Sequence, residues 1–304
     1  PFFRRLETDA DFLGPLHGTD GPLPVQRVTR PHWPAFSRVL SDALARAGLP
    51  DIGDQNGVFA DGHFAAAYTN FDVTTPAARR ASAAMVYLTE AVRARPNLVI
   101  RDRAHVTALL MDGRRATGVA YARDGATHQA EAREVILAAG ALHSPAMLMR
   151  AGIGPADELA RHGIAPRLVL EGVGRNLRDH PGTHLCAYVP PARRNPPGMR
   201  KSGHIAARFS SGLAGAPVSD LYMHNGVSSG WHGVGRRIAY FYLWVNKPAS
   251  VGRVTLRSTD PQEHPRVEMN LLGEATDTAR LAEGLRCIAA VIRAMEAEGA
   301  LSDP

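Results

Sequence analysis

Residues 133–181 read REVILAAGALHSPAMLMRAGIGPADELARHGIAPRLVLEGVGRNLRDHP, and the order of side-chain types in this stretch decides the fold class. Val135, Ile136 and Leu137 form a continuous apolar run, as in a strand covered on both faces. Ala138, Ala139 and Gly140 then remove side-chain bulk where the backbone must approach a ligand or another strand. Ser144 and Pro145 have the residue types of an N-cap and a first-turn proline, and predict a helix running to Arg150. Gly152 stops it, and a second helix over 155–162 is closed by Gly163. Strand, small-residue turn and helices in this order write a nucleotide-binding α/β unit, because nucleotides bind at the carboxyl ends of parallel strands.

Upstream, apolar positions recur at Phe36, Val39, Leu40, Ala43, Leu44 and Ala47, with Pro34 before them and Gly48 after, which predicts an amphipathic helix over 34–47. A second helix is expected over 82–95, then strands at 98–101 and 105–111. Turns at Asp112-Gly113 and Asp124-Gly125 make a meander through 118–122 and 127–132 that feeds the strand at 134–139. Downstream of Pro181 the pattern changes to short strands at 184–189, 204–209, 221–224, 238–245, 253–257 and 266–269, which predicts an antiparallel sheet. A last helix from about Thr276 carries Leu281, Leu285, Ile288, Ile292 and Met295 on one stripe, to pack on that sheet.

Composition narrows the class. Hydrophobic residues make up 45% and charged residues 21% of 304, a globular balance with ample material for a core. No apolar run approaches the roughly 18 residues that span a bilayer, and no signal peptide is visible. A cytoplasmic location is the expectation. Lysine and arginine exceed acidic residues by 35 to 29, but the basic residues are scattered and no aromatic-interleaved basic stripe accompanies them, which argues against nucleic acid. Cys186 and Cys287 are far apart with no CxxC; two buried thiols are expected, and neither a disulfide nor a metal knuckle.

Several motifs together resemble one family. GALHSPAMLMRAGIGP at 140–155 and GVGRNLRDHP at 172–181 are similar to the second signature of the glucose–methanol–choline (GMC) oxidoreductases and the loop after it. RPNLVIRDRAHVTALLMDGRRATGV at 95–119, KPASVGRVTLRSTDP at 247–261, FFRRLE at 2–7 and GPLPV at 21–25 fit the same family in the same order. The resemblance implies an α/β (α+β overall) fold: part of an FAD-binding Rossmann-like domain plus an antiparallel-sheet substrate-binding domain with helices. It implies substrate domain at 1–80, FAD-binding domain at 81–181 and substrate domain again at 182–304.

The implied function is FAD-dependent oxidation of a small-molecule alcohol to an aldehyde or ketone, with oxygen or a quinone or cytochrome as electron acceptor. The resemblance places the Val106 backbone against the FAD adenine, where the residue alone would pass for a core valine. It also gives Ala138, Ala139, Gly140 and Ser144 a cofactor-binding role. Trp231, His232, Tyr242 and Trp244 fall in the implied substrate domain and are the pocket candidates. Tyr240, Tyr242 and Trp244 share one strand face and line a pocket or a core together, the core being favoured. No GxGxxG occurs, since Gly172-x-Gly174 meets Leu177 and Gly233-x-Gly235 meets Ile238, and no counterpart of the family's late catalytic histidine is found. The expectation is therefore a central part of a longer enzyme, with no catalytic residue in this chain.

Other chemistries are weaker. Asp179-His180 has the makings of a general-base pair, but Pro181-Gly182 makes a turn in which these side chains are expected to bond the loop. The same proline removes the zinc helix that His180 and His184 would need. Gly226-Val227-Ser228-Ser229-Gly230 matches GxSxG, but a hydrolase elbow must open a helix, and loop residues follow. A serine hydrolase and an inactive truncated remnant are the alternatives.

Overall fold

The computed structural model describes residues 2–73, 78–196, 199, 203–227 and 233–302. The chain forms two compact units. The first comprises Pro1–Leu98, His180–Lys247 and Ala275–Pro304; the second comprises Val99–Asp179 and Pro248–Glu274. Pro248–Glu274, expected with the sheet-bearing third segment, packs in the second unit.

The first unit is built on a five-stranded antiparallel sheet in the order Gly182–Tyr188, Ile238–Val245, Leu221–Val227, Ile205–Phe209, Gly62–Ala65. Alternation along a strand sends successive side chains to opposite faces. On one face Ala239, Phe241, Leu243 and Val245 join Leu221, Met223 and Ile205 in the core. Helices Ala35–Arg46 and Ala275–Ala297 cover it, with Phe36 against Phe241 at 6.2 Å between ring centroids. Gly284 allows the long helix to approach, since a Cβ there would press on Leu243 and Leu221. Both helices match the sequence expectation. The first starts at Pro34 and is released by Gly48 at φ +86°, where the Leu49 N–H returns to the Leu44 carbonyl.

The helix expected over 82–95 is two short ones, Ala83–Tyr87 and Glu90–Arg93. Thr89 is the reason: its hydroxyl accepts from the Val92 N–H and starts a new helix where the old one would continue. A buried charge network ties the N-terminal region together. Arg27 Nη1 donates to Asp9 Oδ1 at 2.8 Å, and His17 Nε2 lies 2.8 Å from Asp54 Oδ2.

The second unit carries the predicted meander, His105–Asp112, Arg115–Arg123 and Ala126–Glu131. The first turn is displaced by one residue: Asp112 pairs with Arg115, so Gly113-Arg114 make the connection, with Gly113 at φ +53°. Asp124 and Gly125 take φ +50° and +79°, as the two-residue turn requires. The expected strand at 98–101 does not form; Val99 and Ile100 are exposed, and no strand among the described residues pairs with them. A small core gathers Ala146, Met149, Leu159 and Leu256. Buried Glu158 holds it together by accepting from the Leu256 N–H and from Arg161. Two further pairs complete the unit: Ile153–Gly154 runs parallel to Leu168–Val169, and Arg253–Thr255 antiparallel to Arg266–Glu268.

The largest departure lies in the stretch quoted first. Residues 134–139 form no strand, and Ile136 is 82% exposed. A strand buried on both faces needs a neighbour along each edge, and among the described residues none pairs with it. The helix then starts earlier than expected, as Gly140–Arg150, because Gly140 at φ +80° turns the chain directly out of Ala139. Ser144 and Pro145 consequently lie inside the helix, and Ser144 is not its cap.

Candidate functional site

The second unit contains a cavity of about 600 Å³. Val106 and Thr107 form one wall from the first strand of the meander, and residues 135–139 form another. The helix contributes His143, Met147 and Arg150, whose four- and three-residue spacing puts them on one face. Pro261 and His264 close the side, His264 lying edge-on to His143 at 5.5 Å. Val106, Ala138 and Ala139 are thus brought together, and Gly140 opens the helix at the end of their segment. Ser144 is half-buried and is not part of the wall. His143, Met147, Arg150 and His264 were missed. The helical spacing of the first three was visible, but which face would look into a cavity was not.

The chemistry of the cavity follows from its backbone. No hydrogen bond among the described residues engages the N–H and C=O groups of 134–138, and this exposed to half-buried segment leaves them open to a ligand or to water. Apolar walls with unpaired backbone donors and acceptors suit a flat heteroaromatic base bearing both on its edge. The volume lies within the range of cofactor sites. The lining is mainly apolar, with His105, Thr107, His143, Arg150 and His264 as its polar side chains. Arg150 supplies the one cationic side chain. Its Nη2 donates to the Glu263 carbonyl at 2.8 Å, while Nε is buried without a partner. Burial lowers its pKa from the ordinary guanidinium value, against the opposing charges of Asp260 and Glu263. The adenosine part of FAD fits this set: Val106 and 135–139 would hold the base, and Arg150 offers a spare donor.

The first unit presents a second feature, the face of its sheet opposite the core. Tyr240, Tyr242 and Trp244 are half-buried there, so the core favoured from the sequence is formed instead by Ala239, Phe241, Leu243 and Val245. One-residue alternation decides it, and the sequence shows two apolar sets without saying which the helices cover. His184 stacks on Tyr242 and Tyr222 on Trp244, with centroids 4.4 and 4.6 Å apart, and Tyr242 meets Trp244 at 5.0 Å with the rings tilted by 44°. Tyr240 lies over Gly226, where a Cβ would overlap its ring. Beside the stack the Tyr68 hydroxyl donates to the Gly203 carbonyl at 2.5 Å and lies 3.2 Å from His224 Nε2. Burial raises the pKa of Tyr68, with Tyr240 and Tyr222 adding to it, and burial likewise raises that of Tyr222 against the charge of Arg208. Both phenols stay neutral in ordinary buffers. Trp231 and His232 lie outside the described residues.

The remaining candidates carry less. His180 Nδ1 bonds the Val245 carbonyl at 3.1 Å, consistent with the loop role expected of it. Ser228, Ser229 and Gly230 lie outside the described residues; the next described element is the 3-10 helix Gly233–Arg237, which runs straight into a strand. Cys186 is exposed and Cys287 half-buried, so the expectation of two buried thiols fails. Cys186 stands on the outward side of its strand, and Cys287 on the flank of its helix. Glu7, Asp9 and His17 bring ligand-type atoms within 4.8 Å of one another, but Arg27 and Asp54 engage the cluster as an ion-pair network.

Comparison with known proteins gives matches along most of the chain. Two family matches, both described as GMC oxidoreductase, cover residues 1–182 and 248–303. The chain is 42% identical over 294 residues to a 5-(hydroxymethyl)furfural oxidase of Methylovorus sp. (strain MP688), covering 95% of this chain and 53% of that protein. It is 32% identical over 324 residues to an oxygen-dependent choline dehydrogenase of Burkholderia mallei (strain ATCC 23344), covering 96% of this chain and 55% of that protein. Among solved structures, pyridoxine 4-oxidase from Mesorbium loti superposes with a TM-score of 0.81 at 25% identity, over 96% of this chain and 57% of the other. The chain thus spans little more than half the length of each.

Proposed function

The chain belongs to the GMC oxidoreductase family, and from that premise we propose that it forms the adenosine-binding part and a substrate wall of an FAD-dependent enzyme that oxidises a small-molecule alcohol to an aldehyde or ketone. The observation that carries this reading is the cavity where Val106, Ala138 and Ala139 meet beside the unpaired backbone of 134–138. Bound FAD would supply the acceptor for the hydride of the carbinol carbon. The protein's part is to orient the two molecules and exclude competing reactions. Here Ala138 and Ala139 keep bulk away from the base, Gly140 turns the chain sharply after them, and the face with Tyr242 and Trp244 receives the substrate. The names of the two relatives and of pyridoxine 4-oxidase support an alcohol donor. The acceptor is oxygen or a quinone or cytochrome; the oxidase among the relatives favours oxygen. Among the described residues no helix is long and apolar enough to cross a membrane.

The test is anaerobic addition of primary alcohols to the protein purified from its native gene. Bleaching of its flavin absorbance by an alcohol, and recovery on admitting air, is the expected result. A protein that purifies without flavin and takes up none from added FAD overturns it.

A further inference from the structure

The N-terminal strand of the first unit brings ligand-type side chains to one point. Glu7–Asp9 pairs in parallel with Leu23–Arg27, and alternation along it puts Glu7 and Asp9 on the same side. The loop after the strand folds back, with the Asp9 N–H donating to the Gly18 carbonyl at 2.9 Å, and so delivers His17 to that side. Gly18 is needed for the return, because a Cβ there would overlap the Arg4 and Glu7 carbonyls. His17 Nδ1 then lies 3.2 Å from Asp9 Oδ2 and 3.5 Å from Glu7 Oε1. Arg27 and Asp54 engage the outer atoms of this cluster. Asp9 Oδ1 accepts from Arg27 Nη1 at 2.8 Å and from the Asp11 and Phe12 N–H groups at 3.0 Å, and Asp54 Oδ2 lies 2.8 Å from His17 Nε2. The inner atoms are left over: His17 is 5% exposed and Asp9 3%, and neither Nδ1 nor Oδ2 makes a hydrogen bond among the described residues.

A carboxylate on Nε2 fixes that nitrogen as the donor and leaves Nδ1 as a bare lone pair. Three acceptor atoms then converge, an arrangement that repels itself unless a cation joins them. A proton on Nδ1 does not answer, since at 3.2 and 3.5 Å neither contact has the alignment of a hydrogen bond. A metal ion does. Bonds of about 2.0–2.2 Å set tetrahedral ligands about 3.3–3.6 Å apart. The separations of 3.2 and 3.5 Å are close to that, and the third stays within 4.8 Å. Charge points the same way: among the described residues Glu7, Asp9, Asp11 and Asp54 meet Arg27 and, at the His17 carbonyl, Arg4, which leaves two negative charges in excess. We propose that Glu7, Asp9 and His17 bind one divalent first-row cation of the zinc type, with water at the fourth position and Asp54 orienting His17 from behind. One nitrogen and two carboxylate oxygens suit zinc better than magnesium or calcium, which take oxygen ligands in larger number. The ion ties the strand Glu7–Asp9 to the loop that follows it.

The test is a titration with zinc chloride of the protein from its native gene, first dialysed against a chelator, followed by calorimetry and thermal unfolding. One equivalent should bind with a dissociation constant of about 1 μM or tighter and raise the unfolding midpoint. His17→Gln and Glu7→Gln proteins that fold by circular dichroism should bind at least about a hundredfold more weakly. Asp54→Asn, which leaves all three ligands in place, should weaken binding about tenfold. Magnesium chloride should bind at least about a hundredfold more weakly than zinc. An ion-pair network with no metal role would give no zinc binding, or binding unchanged in folded His17→Gln, and either result overturns the proposal. Should the variants fail to fold, cobalt chloride added to the wild-type protein decides. A visible absorption band that saturates at one equivalent supports the site, and its absence refutes it.

Discussion

The five-stranded sheet and the segment 134–139 have opposite economies of contact. Every strand of the sheet is paired, and Phe241, Leu243, Leu221 and Met223 are completely buried between it and two helices. The segment has no strand partner, turns Ile136 to solvent, and leaves a run of backbone donors and acceptors unused beside a cavity. Burial of apolar surface stabilises the first. The second buries only Val135 and Leu137 in part and leaves its backbone groups open to another molecule. In the function proposed, stability and recognition thus fall to different parts of the molecule. Even within the sheet they are divided between faces, aliphatic inside and aromatic outside.

Substitutions can break this division in order of effect. Phe241→Ala, which opens a cavity under both helices, should cost about 3–5 kcal/mol in denaturant unfolding. Fluorescence and circular dichroism should report the same transition. Asp9→Asn should cost about 1.5–3 kcal/mol, the usual worth of hydrogen bonds to a charged group. Burial alone would raise the pKa of Asp9. Its bonds from Arg27 and from the Asp11 and Phe12 N–H groups, with the Arg27 charge, lower it on balance. A carboxyl lowered in the folded state stabilises fully above its unfolded pKa, and that stability is lost as pH falls through the folded value. The wild-type protein should therefore lose stability on the acid side of the unfolded value of 3.8, and Asp9→Asn should flatten that limb.

Ala138→Trp, by contrast, should leave the unfolding midpoint nearly unchanged yet weaken FAD by at least about tenfold, or roughly 1.4 kcal/mol. A large loss of stability in that variant would mean that the segment supports the fold after all. Arg46→Ala removes an exposed pair with Glu298 at 2.8 Å and should change stability by less than about 1 kcal/mol.

What could be read from the sequence follows the same division. The helix over 34–47, the meander turns at 124–125 and the strand at 238–245 were legible because local chemistry and periodicity agreed. The strand at 134–139 was not, because Val135-Ile136-Leu137 states only that the run is apolar, and pairing is a property of neighbours. Ser144-Pro145 misled in a related way: a good capping pair was overridden by Gly140, which turned the chain four residues earlier. For the site, Val106, Ala138 and Ala139 were reached through family resemblance. Arg150 and His264 needed the fold, since 114 positions of sequence separate two residues that line one cavity.

The most direct test of the account is the amount and identity of cofactor released on denaturing the wild-type and Ala138→Trp proteins, prepared side by side from the native gene. The account predicts FAD in near-equimolar amount from the wild type and little from a variant whose unfolding is otherwise normal. Equal FAD from both would place the base elsewhere than beside Ala138, and none from either would contradict the claim that this chain serves a flavin.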